Sequence, residues 1–187
     1  YLLKISMIKK AMILAAGFGK RIHPLTLKCP KPLLKIGNET LLSNTFKFLK
    51  LFGIELVVIN THYLSDQIST YLNKSNFNLK IKLINESEKI LDTGGGVLNA
   101  IDYFSNEPFI IINPDTIWNE LYLKEVKLME KFFFKDKKNN CSLLVVDKRK
   151  SFDQNLAGDF NLKNNLISRD NKNDLNFIYT GLQIIEP

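Results

Sequence analysis

The stretch LAAGFGKRIHPLT (residues 14–26) places a glycine-rich turn and two cations directly after an apolar run. The run AMILAAG (11–17) has the continuous apolar pattern of a strand that is buried on both faces of a parallel sheet. Gly17 and Gly19 carry no Cβ, so the backbone N–H groups around them can approach an anion closely. Arg21 adds a planar guanidinium that suits phosphate oxygens. We therefore predict a phosphate-binding loop at the end of the first strand.

Two common phosphate-binding motifs do not describe this loop. The dinucleotide fingerprint GxGxxG needs a third glycine where this chain has Ile22. The P-loop needs Ser or Thr after its Gly-Lys pair, where this chain has Arg21. A further cation, Lys31, follows ten residues later between two prolines, which restrict the direction of its backbone. The loop and this lysine together favour a phosphate site of another type.

Composition favours one folded domain. The chain has 187 residues and is 45% hydrophobic, which is enough for a sizeable core. No apolar run reaches the ~18 residues that a membrane-spanning helix needs, and Cys29 and Cys141 lack metal-ligand spacing. We therefore expect free thiols in a cytoplasmic protein with no membrane partner.

The net charge of +7 raises the alternative of a nucleic-acid backbone as the bound phosphate. The lysines are spread along the whole chain rather than gathered in one segment. We therefore expect no nucleic-acid partner. An affinity that falls steeply with salt would indicate the opposite.

Short apolar runs alternate with amphipathic segments along the chain. The pattern predicts strands at 11–17, 54–60, 79–86, 109–115 and 141–147, and helices at 40–53, 64–74, 96–104 and near 120–134. We expect Gly53 and Ser65 to cap two of these helices. Only short hairpin-like segments are predicted beyond residue 150. The alternation indicates an α/β fold, a mostly parallel, Rossmann-like sheet with helices on both faces and a small β-rich C-terminal portion.

Polar residues follow three of the predicted buried strands. The glycine loop ends the first strand, Asn60 ends the second, and Asn113-Pro114-Asp115 ends the strand that begins near residue 109. In open α/β sheets, ligands bind at the carboxyl ends of the strands. The sequence therefore predicts one site to which these three segments contribute.

Residues 14–42, LAAGFGKRIHPLTLKCPKPLLKIGNETLL, resemble the opening signature of the sugar-phosphate nucleotidyltransferases, LAAGxGxRxxPLTxxxPKPLxxxxxxPLL. The difference is Thr40, where the family has proline. Similar segments at 91–101, 108–118, 158–162 and 177–187 extend the resemblance over the chain from Met7. It implies the glycosyltransferase-A-type fold in a single domain, 7–187, with a nucleotide-binding half at about 7–118 and a sugar-binding half at about 119–187. Residues 1–6 are expected to be an extension.

The resemblance also implies a reaction, in which a sugar 1-phosphate attacks the α-phosphorus of a nucleoside triphosphate and releases pyrophosphate. The catalytic residues that it implies are Arg21, Lys31 and Asp115, with Asp115 as the ligand of Mg²⁺. Nucleotide binding is implied for Ala15, Ala16, Gly17, Gly19, Lys20, Arg21, Lys31, Thr93 and Gly94. Sugar-phosphate binding is implied for Asn113, Gly158, Asp159 and Gly181.

Several points remain open in the sequence. The resemblance favours UTP, but thymidylyl, guanylyl and cytidylyl transfer are alternatives, as is a non-catalytic nucleotide-sugar sensor on the same fold. Pro114 stands where relatives have glycine, which leaves the sugar side of the site in question. Family members carry a second metal-binding aspartate further along the chain than Pro187, so we expect the domain to be incomplete at its C-terminus. We expect His23 and His62 to be packing or capping residues, and the sequence does not indicate an oligomeric state.

Overall fold

The computed structural model describes residues 7–86, 90–136, 139–153, 155–170 and 175–187, so the expected extension at 1–6 lies outside the described residues. The strands are β1 (Lys10–Ala15), β2 (Lys35–Ile36), β3 (Glu39–Thr40), β4 (Leu56–Thr61), β5 (Lys80–Asn85), β6 (Phe109–Ile112), β7 (Cys141–Asp147), β8 (Asn161–Lys163), β9 (Leu166–Ser168) and β10 (Phe177–Ile185). The α-helices are α1 (Leu41–Phe52), α2 (Ser65–Asn73), α3 (Asp92–Ala100) and α4 (Leu123–Lys135). Short 3₁₀ turns include Lys20–Ile22, Lys31–Leu33 and Ile101–Phe104.

A six-stranded sheet in the order β5-β4-β1-β6-β10-β7 forms the centre of the molecule. β5, β4, β1 and β6 pair in parallel. β10 is antiparallel to both of its neighbours, so β7 runs in the same direction as the parallel strands. The predicted α/β fold with a mostly parallel sheet is confirmed.

The central strands bury side chains on both faces, as their continuous apolar runs predict. On one face α1 and α4 supply the larger core, in which Phe46 and Phe133 are among the buried residues with Ile13 of β1. On the other face Met12 of β1 belongs to a smaller core with Phe104. Neighbouring residues of one strand thus point into opposite cores. Helices cover both faces, and no helix of the described residues is long and apolar enough to span a membrane.

The C-terminal segment departs from the prediction. β8 and β9 do form a hairpin, but residues 177–185 are one nine-residue strand of the central sheet rather than a hairpin-like piece. Its pairing with β7 shifts between Tyr179 and Gln183, and Gly181 there has a φ of 86°. Gly181 is therefore part of a bulge, and the strand continues past it.

Gly53 ends α1 with a left-handed φ of 111°, as predicted. The starts of two other helices differ from the prediction. The expected N-cap role of Ser65 is wrong, because Ser65 is already helical and Leu64 precedes it with no side-chain cap. α3 begins at Asp92 rather than at residue 96, so the three glycines lie inside its first turns. The apolar period becomes visible only after those glycines, which is why the pattern placed the start too late.

Thr40, which stands where the family signature has proline, caps the N-terminus of α1. Its Oγ1 accepts a hydrogen bond from the backbone N–H of Ser43 at 3.0 Å and lies 2.9 Å from the hydroxyl of Tyr71. We predict that Thr40→Ala lowers the free energy of unfolding by about 1 kcal/mol, because an N–H of the first turn loses its acceptor. Urea denaturation measures this change, and Thr40→Ser, which keeps the hydroxyl, is the control. An alanine variant as stable as the serine variant would contradict the capping role.

Candidate active site

The order of the strands creates a crevice at the carboxyl end of the sheet. The chain passes from β1 to β4 and β5 on one side, then returns to β6 on the other side of β1. The loops that leave β1 and β6 therefore diverge. The gap between such loops is the usual place for a ligand site in sheets of this kind. A cleft of about 530 Å³ lies there. Its lining consists of Leu14, Ala16, Gly17, Phe18, Gly19, Lys20, Arg21, Ile22, Lys31, Pro32, Asn60, Ile90, Asp92, Thr93, Asn113, Pro114 and Asp115.

The glycine loop forms one wall of this cleft. Gly19 adopts a left-handed φ of 65°, and a Cβ there would lie 2.9 Å from the methyl group of Thr26. The hydroxyl of Thr26 donates to the carbonyl of Gly19 at 2.8 Å, which fixes the turn. At Gly17 an added Cβ would meet no atom within 4 Å, so the backbone there faces open space. The following 3₁₀ turn presents an exposed Arg21 to the cleft.

Lys31 and Asp115 meet in the cleft, although 84 residues separate them in the chain. The Lys31 Nζ atom lies 2.5 Å from Asp115 Oδ2. The two side chains keep 28% and 33% of their surface exposed, so both remain accessible from the cleft. Lys31 could pair with an anionic substrate and Asp115 with a metal ion, in place of their contact with each other.

The turn that carries Asp115 is held by hydrogen bonds from two directions. The N–H of Asn113 donates to the carbonyl of Gly181 at 2.8 Å, and the indole N–H of Trp118 donates to the carbonyl of Asn113 at 2.9 Å. The Trp118 ring is buried and stacks on Phe48 at a centroid distance of 5.4 Å. Gly181, in the bulge of β10, permits this close approach, since a Cβ there would lie 2.9 Å from the side chain of Asn113.

The cleft brings together most of the residues that the sequence implicated. Ala16, Gly17, Gly19, Lys20, Arg21, Lys31, Thr93, Asn113 and Asp115 line it. Ala15, Gly94, Gly158, Asp159 and Gly181 are not among its lining residues.

The residues outside the lining have other contacts. Asp159 accepts a hydrogen bond from the N–H of Tyr179 at 2.8 Å, so its carboxylate ties residues 158–160 to β10. A Cβ on Gly158 would lie 2.1 Å from the carbonyl oxygen of Leu175. The close backbone approach at Gly158 therefore leaves no room for a Cβ. Gly181 contacts Asn113, which lines the cleft.

The sequence indicated no role for several lining residues, among them Phe18, Ile90 and Asp92. Phe18 packs edge-on against His62 at a centroid distance of 5.5 Å, Asp92 is the first residue of α3, and Ile90 lies two residues before it. Phe18 and Asp92 lie in segments that carry the family resemblance, but their spacing indicated no role in the site. His62 packs as expected, and its Nδ1 lies 2.5 Å from the carbonyl of Glu86. His23 is exposed, and its backbone N–H closes a 3₁₀ turn.

The end of β7 adds a further pair of charges at the same edge of the sheet. The Arg149 guanidinium hydrogen-bonds Asp147 and lowers the pKa of that carboxyl to about 2. Asp147 therefore stays ionised at neutral pH, and Arg149 is engaged with it.

Asp115 fits a single-carboxylate magnesium site. Among the residues that the structure describes, no three His, Cys, Asp or Glu side chains come together as a complete metal site. Mg²⁺ commonly takes one or two carboxylates and fills its shell with substrate phosphates and water. A partly exposed carboxylate in a cleft with basic residues matches that donor set, and Asp92 is a second carboxylate on the same lining.

Comparisons with known proteins find relatives that are named as nucleotide transferases. At 33% identity, 60% of the chain aligns with 48% of the N-acetylmuramate alpha-1-phosphate uridylyltransferase of Caulobacter vibrioides. The enzyme of that name from Neisseria meningitidis serogroup B is 38% identical, over 58% of this chain and 47% of its own. Mannose-1-phosphate guanylyltransferase 1 of Arabidopsis thaliana is 35% identical over 73% of this chain and 38% of its own. The chain thus spans about half or less of the length of these relatives.

Solved structures share the fold. The inositol-1-phosphate CTP transferase from T. maritima superposes with a TM-score of 0.78 at 20% identity, covering 96% of this chain and 71% of that one. A UDP-glucose pyrophosphorylase in complex with UDP-glucose gives a TM-score of 0.74 at 19% identity, over 97% of this chain and 77% of that one. The family described as nucleotidyl transferase matches residues 10–152. With most of its length covered by that match, the chain belongs to the nucleotidyl transferase family.

Proposed function

We propose that the cleft transfers a nucleotidyl group from a nucleoside triphosphate to a sugar 1-phosphate and releases pyrophosphate. The observation that carries the proposal is the 2.5 Å contact between Lys31 and Asp115 in the cleft that the glycine loop and Arg21 also line. These groups come from three separate chain segments and lie around one cleft at the switch point of the sheet. A cation, a carboxylate and free backbone N–H groups are what two phosphorylated reactants and a divalent cation require.

The reaction needs no nucleophilic side chain. An oxygen of the sugar phosphate attacks the α-phosphorus, a new P–O bond forms, and the bond from the α-phosphorus to the bridging oxygen breaks. Pyrophosphate leaves with that electron pair, and no proton has to move. Catalysis then consists of alignment, which can lower a barrier by roughly 7–11 kcal/mol, and of fixed charges that stabilise the transition state.

We assign roles in this reaction to the glycine loop, Arg21, Lys31, the start of α3 and Asn113. The backbone at Ala16–Gly19 holds the nucleotide phosphates, and Arg21 binds the β- and γ-phosphates that depart. Lys31 leaves Asp115 and bridges the α-phosphate and the incoming sugar phosphate. The start of α3 at Thr93 and Gly94 contacts the base, and Asn113 contacts the sugar.

Asp115 is the residue proposed to hold Mg²⁺. The ion would neutralise phosphate charge and draw oxygens of the two reactants together. Asp115 can serve it only after its pairing with Lys31 is released. We therefore infer that both side chains exchange partners when the substrates enter.

We infer UTP as the triphosphate and N-acetylmuramate 1-phosphate as the acceptor. This choice is supported by the two relatives named for that reaction and by three features that point to them within the family. The features are the triple glycine after Asp92-Thr93, Trp118 and the Gly158-Asp159-Phe160 segment. GTP with mannose 1-phosphate is the competing pair, because another relative carries that name.

Pyrophosphate release tests the proposed reaction. UTP, dTTP, GTP and CTP are each combined with the 1-phosphates of N-acetylmuramate, N-acetylglucosamine, glucose and mannose in the presence of Mg²⁺. We expect release with UTP and N-acetylmuramate 1-phosphate, and a fall of at least about 100-fold in Lys31→Ala and Asp115→Ala, as for lost transition-state charges. Glu55→Gln, which breaks an ion pair with Lys9 at the other end of the sheet, serves as the control. Tight triphosphate binding without release from any pair would indicate the sensor instead.

The exchange of partners by Lys31 gives a second prediction. Without metal, Asp115→Asn should bind UTP about tenfold more tightly than the unmodified chain, because the change frees Lys31 and removes a repelling charge. With Mg²⁺ the same variant should bind less tightly. Calorimetric titration in EDTA and in Mg²⁺ measures both effects. Weaker binding in both conditions would contradict the exchange.

A further inference from the structure

A buried chain of hydrogen bonds joins the two sides of the nucleotide cleft. The side chains of Asn60 and Glu86 are 3% and 4% exposed, although both are polar. Asn60 is the next-to-last residue of β4, and Glu86 comes directly after β5. Neither has a part in the transfer proposed above, and burying such groups is unfavourable unless they are well paired.

The chain of bonds begins at the glycine loop and ends at α3. The N–H of Ala15 donates to Asn60 Oδ1 at 3.1 Å, and Asn60 Nδ2 donates to Glu86 Oε1 at 2.8 Å. Glu86 Oε2 then accepts the N–H of Leu91 at 3.0 Å. Ala15 immediately precedes the loop, and Leu91 immediately precedes α3. Two side chains therefore connect the backbone segments from which the opposite cleft walls begin.

We propose that Asn60 and Glu86 are positioning residues that set the spacing between the glycine loop and the start of α3, and so determine how tightly the nucleotide is held. This inference rests on the proposed function, because it assigns the two walls to one triphosphate. Neither residue is assigned to the reacting atoms.

The order of donors and acceptors requires these two residue types. Both ends of the chain are backbone N–H groups, which can only donate. An asparagine between them supplies one acceptor and one donor, so the remaining member must supply two acceptors. A carboxylate meets that requirement. A glutamine at position 86 cannot, because its NH₂ group would face either the N–H of Leu91 or the amide of Asn60.

Gly96 shows how closely α3 lies against this pair. A Cβ at Gly96 would lie 2.7 Å from Asn60 Nδ2 and 2.9 Å from Glu86 Oε1. The third glycine therefore lets the helix backbone approach the buried pair. The spacing of the cleft walls depends on this contact as well as on the hydrogen bonds.

Exchanging the carboxylate and the amide tests the inference. Glu86→Gln leaves two donors facing each other, and Asn60→Asp places two carboxylates together. The double variant Asn60→Asp/Glu86→Gln restores a complete chain, with the carboxylate at position 60 accepting from Ala15 and from the new amide, which in turn accepts from Leu91. The side chains keep their shapes, so only the pattern of donors and acceptors changes.

Calorimetric titration with MgUTP at a temperature where all variants are folded provides the main measurement. We expect each single variant to bind UTP about tenfold more weakly, and the double variant to recover to within about threefold. The KM for the sugar 1-phosphate should stay within about twofold in all three, since the bonds reach the nucleotide walls and not Asn113.

Glu130→Gln is the matched control. Glu130 is also a buried carboxylate and accepts the N–H of Ile8 at 2.8 Å, near the start of β1 and away from the cleft. We expect this variant to lower the melting temperature while UTP binding stays unchanged.

The outcomes separate this inference from the proposed function. Single variants that melt earlier but bind UTP like the unmodified chain would overturn the positioning role alone, as would a double variant with no recovery. An unmodified chain that binds no triphosphate would overturn both proposals.

Discussion

The pairing of β1 with β4 on one side and β6 on the other is the constraint on which the site depends. It places a largely buried strand at the centre of the sheet and separates the loops on its two sides. The space between those loops is the cleft. Lys31 and Asp115 could not meet across 84 residues without that arrangement. The chemistry of the site therefore follows from the packing of an apolar sheet.

Neutral hydrogen bonds hold the charged groups in place. Thr26 fixes the carbonyl of Gly19, and Trp118 fixes the carbonyl of Asn113 beside Asp115. Such bonds keep the backbone rigid while Arg21, Lys31 and Asp115 remain free to take new partners. A rigid frame with exchangeable charges suits a reaction that depends on alignment more than on a reactive side chain.

The sequence was most informative where local pattern and tertiary structure agree. Continuous apolar runs predicted the central strands, and polar residues at their ends predicted the convergence of the glycine loop with Asp115. The start of α3 was missed because three glycines have low helix propensity and no apolar period. β10 was predicted as a short hairpin-like segment because its pairing in the central sheet, between β6 and β7, depends on residues distant in the chain.

The link between Asn60 and Glu86 had no signal in the sequence. Asn60 is the next-to-last residue of β4 and Glu86 follows β5, and the pairing of β4 with β5 brings the two side chains together. Phe18 likewise packs against His62, which is distant in the chain. Local pattern therefore predicts which segments reach the site more readily than it predicts the contacts that hold them there.

The most direct test of nucleotidyl transfer follows the phosphorus atoms. UTP labelled at the α-phosphate and UTP labelled at the γ-phosphate are incubated separately with N-acetylmuramate 1-phosphate and Mg²⁺, and the products are separated. The account predicts that the α-label appears in the nucleotide sugar and the γ-label in pyrophosphate. A γ-label found in inorganic phosphate or in a sugar bisphosphate would contradict attack at the α-phosphorus and the assignment of the cleft.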